Sequence, residues 1–131
     1  MKPRHGEHPE CMAISDTLQL VGDKWTVLVV SRLGGGTKRF NELRREIGDI
    51  SQKMLTITLR QLERDGFVTR TVFATIPPRV DYALTDLGRD LLKPVEGLIE
   101  WARVNRQRVE AARIRYEINK VQPAPMPVAA E

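Results

Sequence analysis

The sequence contains a single cysteine and no long apolar run among its 131 residues. With Cys11 alone, an intrachain disulfide framework is excluded, and this sparing use of cysteine fits a reducing compartment. A membrane span needs about 20 mostly apolar residues, and the polar residues 1–10 lack the apolar core of a secretion signal. We therefore expect a cytoplasmic protein without a membrane-spanning segment.

Aromatic residues are also scarce, at 5% of the chain, and none falls where it would form an exposed stacking platform for RNA bases. An enzyme that used Cys11 as its nucleophile would need an oriented base, and no such group accompanies this cysteine. The glycines at 34–36 lack the spacing and the preceding strand of a phosphate-binding loop. RNA binding and catalysis are therefore both disfavoured.

Histidine occurs twice, at His5 and His8. Together with Cys11 and the nearby Glu7, these side chains have the types and spacing of metal ligands, but no fourth strong ligand is spaced with them. Prolines and a glycine interrupt these residues and indicate a flexible N-terminal segment. We expect solvated histidines here, and neither a metal nor a cofactor.

Positive charge is in modest excess, with a formal net charge of +4 at pH 7. Its placement is more informative, because cations concentrate in the middle of the chain and indicate a candidate polyanion surface. Acidic residues are interleaved with them, so charge alone favours an ordinary solvated surface. The cations of this segment are Lys38, Arg39, Arg44, Arg45, Lys53, Arg60, Arg64, Arg70 and Arg79.

The spacing of apolar residues predicts a mainly α fold with one β-hairpin. Helices are expected at about residues 14–21, 25–33, 40–47, 51–64 and 86–119, and strands at 67–73 and 80–84. The last helix, capped by Thr85 and kinked at Pro94, would be about 50 Å long at 1.5 Å per residue. A domain of this size does not cover such a length, so part of its apolar face needs a partner.

The domain organisation follows from the same pattern. The balance of 41% apolar and 29% charged residues is ordinary for one globular domain. We expect residues 1–10 to be a flexible N-terminal segment, residues 11–119 to form that domain, and residues 120–131 to be a disordered tail rich in proline and alanine.

The fourth helix has the clearest start signal. Ser51 is the expected N-cap, while Ile50 and Leu55 occupy the positions of a hydrophobic staple. Placing residues at 100° intervals puts a leucine stripe on one side of this helix and a cationic side opposite to it. The leucine stripe is Leu55, Leu59 and Leu62; the opposite side is Lys53, Ile57, Arg60 and Arg64, flanked by Thr56 and Gln61.

The order of a helix, a short helix, a capped helix and a hairpin is that of a winged helix-turn-helix, in which the capped recognition helix enters the major groove. Arginine, glutamine, threonine and isoleucine side chains can contact base edges there, and cations at the flanks meet phosphates. The alternative is a solvated helix with Arg60 or Arg64 paired to Glu63, Asp65 or another acid. The candidate DNA-binding residues are Lys38, Arg39, Arg44, Ser51, Gln52, Lys53, Thr56, Ile57, Arg60, Gln61, Arg64 and Arg79.

Several strings of the sequence together resemble the HxlR-type transcriptional regulators. They are Cys11, GDKW from Gly22, RFNELRR from Arg39, ISQKMLTITLRQLERDG from Ile50, PPRVDYALTDLG from Pro77, and Trp101. The resemblance covers roughly residues 11–101 and implies a dimeric winged-helix regulator. It places the dimer contacts on the first and last helices, around residues 14–21 and 98–109, and the recognition helix at 51–64. Ile57 stands where a polar residue, often glutamine, is expected, so the base preference does not transfer.

The resemblance also gives Cys11 two readings. Some relatives use a cysteine near the first helix as a sensor of oxidants or electrophiles, and a helix N-terminus favours the reactive thiolate. However, Cys11 shares one helical stripe with Ile14, Leu18 and Val21, so it can equally be a small packed residue in or near the dimer interface.

The sequence therefore predicts a sequence-specific regulator of transcription that binds double-stranded DNA as a homodimer on a near-palindromic operator. An oxidant or another small-molecule effector is a further expected partner. The competing hypothesis keeps the winged-helix fold but makes it a protein-interaction module that no longer binds DNA. The sequence does not distinguish a repressor from an activator.

Overall fold

The computed structural model describes residues 9–121 of the chain. These residues form five helices and three strands in the predicted order, with the short strand β1 as an addition. The elements are α1 (Pro9–Val21), α2 (Lys24–Leu33), β1 (Lys38–Arg39), α3 (Phe40–Ile47), α4 (Gln52–Arg64), β2 (Val68–Phe73), β3 (Arg79–Leu84) and α5 (Asp86–Val121). The predicted mainly α fold with a hairpin wing is confirmed.

The described part of the chain divides into two compact units, one ending at Glu96 and the other beginning at Gly97. The sequence predicted one domain over residues 11–119, preceded by a flexible N-terminal segment and followed by a disordered tail. Helix α1 already begins at Pro9 and α5 continues to Val121, whereas residues 1–8 and 122–131 lie outside the described residues. No helix within residues 9–121 is long and apolar enough to cross a membrane.

The hydrophobic core lies in the first unit, where α2, α3, α4 and the sheet meet. The predicted leucine stripe of α4 faces this core, because Leu55, Leu59 and Leu62 are all buried. Burial of a leucine side chain contributes about 1.5 to 3 kcal/mol to folding, so this stripe fixes which side of α4 remains outside. The other buried apolar residues are Val29, Val30, Leu33, Leu43, Ile50, Phe67, Val68, Tyr82, Leu84 and Val95.

The sheet has three antiparallel strands in the order β1-β3-β2. Strands β2 and β3 are the predicted hairpin, and β1 adds Lys38 opposite Tyr82 and Arg39 opposite Asp81. Partners across a ladder project to the same face, and successive residues project to opposite faces. Strand β1 therefore separates two adjacent cations onto the two faces of the sheet.

Capping side chains mark the helix starts. Ser51 Oγ accepts a hydrogen bond from the Met54 amide at 3.0 Å, as predicted for the N-cap of α4. Thr85 Oγ1 accepts from the Gly88 amide at 3.1 Å at the start of α5, which confirms the second predicted cap. Asp23 caps α2 in the same way, through the Trp25 amide at 2.7 Å. These bonds satisfy amides that the first helical turn leaves without partners.

The glycine run after α2 serves two purposes. Gly36 has a φ of +132°, a conformation that side chains strongly disfavour. Gly34 instead keeps a helical φ of −59°. A Cβ atom there would lie 2.8 Å from Leu92 Cδ2, so Gly34 allows α2 to approach the start of α5.

Candidate nucleic-acid interface

The outer face of α4 is open to solvent. Lys53, Ile57, Arg60 and Arg64 are all exposed, and Ile57 retains 37% of its accessible surface. Neither the hairpin nor any other described element covers this face, since its members keep that exposure within residues 9–121. The helix therefore presents the surface that groove binding requires, with an apolar side chain among three cations.

Two of these cations have no acidic partner. Within residues 9–121, no ion pair involves Lys53 or Arg60, whereas Arg64 Nε lies 3.3 Å from Asp65 Oδ1. The alternative of a self-neutralised helix thus applies only to Arg64, whose side chain is still 72% exposed. Exposed ion pairs of this kind contribute about 0 to 1 kcal/mol, so Arg64 can readily exchange Asp65 for a phosphate.

One edge of the outer face borders the sheet. Gln52, Thr56 and Arg60 line a recess of about 560 Å³ between α4 and the strands, with Arg70 and Tyr82 on the opposite wall. Thr56 Oγ1 donates to the Gln52 carbonyl at 2.8 Å, which occupies its hydroxyl hydrogen within the helix. The sequence did not assign Arg70 to the site; its position on β2 between two exposed threonines was the available signal.

The other edge of the outer face borders α1. Gln61 and Arg64 line a second recess together with Asp16, Thr17 and Gln19 of that helix. Gln61 is exposed, and it lies on the opposite flank from Thr56. The two predicted flanking residues are therefore placed as the 100° spacing requires, one on each side of the cationic row.

Lys38 and Arg39 directly precede the third helix and lie in β1, and Arg39 is also the N-cap of α3. Lys38 Nζ forms an ion pair with Glu46 Oε2 at 3.0 Å, and only 18% of the Lys38 side chain is exposed. Arg39 is exposed on the other face of the sheet. The adjacent cations thus differ in availability, because strand geometry sends neighbouring side chains to opposite sides.

The basic residues of α3 also differ from one another. Arg44 Nε lies 3.4 Å from the Ile50 carbonyl and ties α3 to the turn before α4. Both Arg44 and Arg45 remain exposed. Arg45 was counted among the cations of the segment but not assigned to the site, although it lines a cavity with Arg39 and Arg79 beside the wing.

Arg79 begins β3 at the tip of the wing, after Pro77 and Pro78. Its guanidinium carbon lies 4.2 Å from the centroid of the Phe73 ring. Its Nε atom lies 3.3 Å from Asp81 Oδ1. The predicted wing cation is therefore present at the hairpin, with an aromatic ring and a carboxylate against it.

Large apolar side chains are exposed on α1 and, separately, along the C-terminal part of α5. On α1, Leu18 keeps 60% of its surface exposed, and Cys11 is exposed as well. Several large apolar side chains exposed on one helix are typical of an interaction surface. The exposed apolar residues are Met12, Ile14 and Leu18 on α1, and Leu98, Trp101, Val104, Ile114, Tyr116, Ile118 and Val121 on α5.

Comparison with known proteins agrees with this geometry. The family model described as HxlR-like helix-turn-helix matches residues 20–110. The HTH-type transcriptional regulator YtfH of Escherichia coli K12 is 42% identical over 98 residues, which cover 75% of this chain and 78% of YtfH. YybR of Bacillus subtilis 168, a regulator of the same type, is 44% identical over 97 residues, or 74% of this chain and 78% of YybR.

A solved structure shows the same fold. The redox regulator HypR in its reduced form superposes with a TM-score of 0.70 at 42% identity, covering 76% of this chain and 98% of HypR. The family match spans well over half of the sequence, and it includes the recognition helix α4 and both strands of the wing. The chain is therefore a member of the HxlR-like helix-turn-helix family of transcriptional regulators.

Proposed function

We propose that this regulator binds a specific operator in double-stranded DNA as a homodimer, with α4 in the major groove. The observation that carries the proposal is the open outer face of α4, where Lys53 and Arg60 have no acidic partner within residues 9–121. Unpaired cations on an exposed helix suit a polyanion. The protein would act in the cytoplasm, where a regulator meets its DNA, and it would have no catalytic activity of its own.

The proposed contacts fall into two groups. Arg60, Gln61, Thr56 and Ile57 would contact base edges, since guanidinium, amide and methyl groups match the patterns in the major groove. Phosphate contacts would come from the ends of α4 and from the flanking elements. The phosphate group comprises Arg39, Arg44, Ser51, Gln52, Lys53, Arg64 and Arg79; Lys38 would contribute only after leaving Glu46.

The homodimer is supported by the apolar residues that α1 and the C-terminal part of α5 leave exposed, such as Leu18 and Trp101. Two-fold symmetry would place two α4 helices in successive major grooves, about 34 Å apart on one side of the duplex. The operator would then be a near-palindrome, because each half-site meets an identical helix.

Selection of DNA fragments from a random pool by the purified protein tests this proposal. We expect enrichment of an inverted repeat, and affinity for it should fall steeply with salt because bound phosphates release counterions. With five cations of each subunit on phosphates, the dimer would neutralise about ten phosphates and give a slope near −9 in a plot of log affinity against log salt. If no sequence is enriched and no duplex binds even at low salt, the protein-interaction hypothesis replaces this one.

We further propose that an oxidant acts through Cys11, the third residue of α1. The thiol is exposed, and the similar protein HypR is a redox regulator. Because the chain contains one cysteine, oxidation ends in an intermolecular disulfide or in an oxidised sulfur acid. Either product changes α1, where the exposed Leu18 supports the proposed dimer.

A thiol oxidant such as diamide should therefore change operator affinity by about fivefold or more, the lower range of typical coupling between sites. Cys11→Ser should bind the operator as the reduced wild type does, and it should not respond to the oxidant. Fluorescence anisotropy with a labelled operator measures both proteins. An unchanged affinity of the oxidised wild type would show that Cys11 is not a sensor.

A further inference from the structure

Asp81 is an acid within a cationic strip of the wing. It lies on the central strand β3, directly opposite Arg39 on β1. Arg79 precedes it by two residues on the same strand, so all three side chains project from one face of the sheet. If this face meets a DNA backbone, the Asp81 carboxylate repels it, and simple charge counting gives no reason for an acid here.

Arg79 itself is held from two sides. Phe73 is its direct partner across the hairpin, and the guanidinium carbon lies 4.2 Å from the ring centroid. Asp81 Oδ1 lies 3.3 Å from Nε. The ring contacts one face of the planar guanidinium, and the carboxylate lies at the Nε edge, so both the tilt and the rotation of the group are restricted.

Burial strengthens this restriction. Arg79 Nε and Asp81 Oδ1 are both shielded from solvent, and neither makes a hydrogen bond within the described residues. Separating them would leave two shielded polar atoms without a charge partner, which is unfavourable. The Arg79 side chain nevertheless remains 39% exposed, although its Nε atom is shielded.

We propose that Asp81 and Phe73 are positioning residues, which hold the Arg79 guanidinium with its Nη edge outward for the DNA beside α4. This inference rests on the proposed function, and it explains why an acid, Asp81, stands in the cationic strip of the wing. A flexible arginine loses rotamer freedom when it binds a phosphate or a minor-groove edge. In this wing the Arg79 side chain has already lost much of its rotamer freedom in the free protein. The entropic cost of ordering it on binding DNA is therefore smaller.

Asp81→Asn separates this role from a simple electrostatic one, because the two predict opposite signs. The substitution keeps the size and removes a negative charge from the DNA-facing strip, so charge counting predicts tighter binding. Positioning predicts that operator affinity falls about two- to tenfold, the cost of immobilising one long side chain at an interface. Fluorescence anisotropy at fixed salt measures the operator affinities of the wild type and the variant. Thr71→Ala is the control, because it changes an exposed hairpin residue directly opposite Asp81 without touching the pair of Asp81 and Arg79.

Two further variants tie the effect to Arg79. In an Arg79→Ala background, Asp81→Asn should cause no further loss, because a double-mutant cycle reports only the coupling between the two residues. Phe73→Leu keeps an apolar side chain but removes the ring, and it should weaken operator binding in the same direction as Asp81→Asn.

A spectroscopic readout excludes a merely structural effect. In the free wild type, the Arg79 Nε–Hε resonance should exchange slowly with solvent, because that atom is shielded. In Asp81→Asn it should exchange as fast as an exposed arginine does, while the backbone amide spectrum of the sheet stays unchanged. Loss of the backbone pattern as well would mean that Asp81 maintains the hairpin, and the inference would be wrong.

The two proposals fail separately. A wild-type protein that binds no duplex refutes the proposed function. A wild type that binds its operator, with Asp81→Asn binding equally well or more tightly, overturns the positioning role alone.

Discussion

Leu18→Asp is expected to convert the protein to a monomer and to abolish tight binding to the full operator. Leu18 lies on α1 with 60% of its surface exposed, so the first unit does not need it for its own core. In the proposed homodimer the same side chain is covered by the partner. Two-fold symmetry introduces the carboxylate twice, once from each subunit.

The expected effect is large because an unpaired charge would be buried at an apolar contact. Such a charge costs about 3 to 5 kcal/mol, so the dissociation constant of the dimer should rise by at least about 100-fold. Sedimentation equilibrium measures it directly. On DNA, the variant should bind a full inverted repeat no better than a half-site, since it loses the advantage of two linked recognition helices.

The matched control is Ala13→Asp, which places the same acid at an exposed position of α1 but turned about 140° from Leu18 around the helix axis. It should remain a dimer and bind the operator like the wild type, apart from a small general effect of charge. If Leu18→Asp stays dimeric at low concentration, α1 lies outside the interface, and the exposed apolar residues of α5 alone would have to form it.

The recognition helix could be predicted from sequence because its signals are local and agree with one another. Ser51 caps α4 through Met54, and Leu55, Leu59 and Leu62 are buried as the helical period requires. One capping bond contributes about 1 kcal/mol, and each leucine adds its burial. With every signal favouring the same register, the outward direction of Lys53 and Arg60 followed directly.

The pairing of β1 with β3 could not be predicted in the same way, because it joins residues that are distant in the chain. A two-residue strand such as β1 has no period, so only its pairing with β3 reveals it. That pairing sends Lys38 to Glu46 and leaves Arg39 exposed. Two adjacent cations with equal signals in the sequence thus acquire different roles from the sheet.

Ion pairing was the other undetermined feature of the site. The sequence left open whether Arg60 or Arg64 is neutralised by a neighbouring acid, since Glu63 lies three residues after Arg60 and both Glu63 and Asp65 adjoin Arg64. Between residues 9 and 121, Arg64 alone of the two contacts such an acid, at 3.3 Å from Asp65. Side-chain rotamers decide this choice, and no residue pattern specifies them.

The same difference makes Arg60 the sharper test of DNA recognition. Arg60→Ala should weaken binding to the selected operator by about 1 to 3 kcal/mol and relax specificity at one base position. Its guanidinium is planar and forms no ion pair with the described residues 9–121, and it can donate two parallel hydrogen bonds to a guanine edge. Lys53→Ala should instead weaken binding to all sequences alike and reduce the salt slope by about 1, because an ammonium acts on phosphate as a point charge.

Competition binding against a panel of single-base operator variants separates the two expectations. For Arg60→Ala, one position of each half-site should stop discriminating between bases, whereas Lys53→Ala should keep the wild-type order of preference. Arg89→Ala, which removes an exposed cation outside the recognition helix, controls for the general loss of charge. If Arg60→Ala and Lys53→Ala lose the same free energy on operator and random DNA, Arg60 contacts the backbone only. Specificity would then have to come from Gln61, Thr56 and Ile57, or from the shape of the duplex.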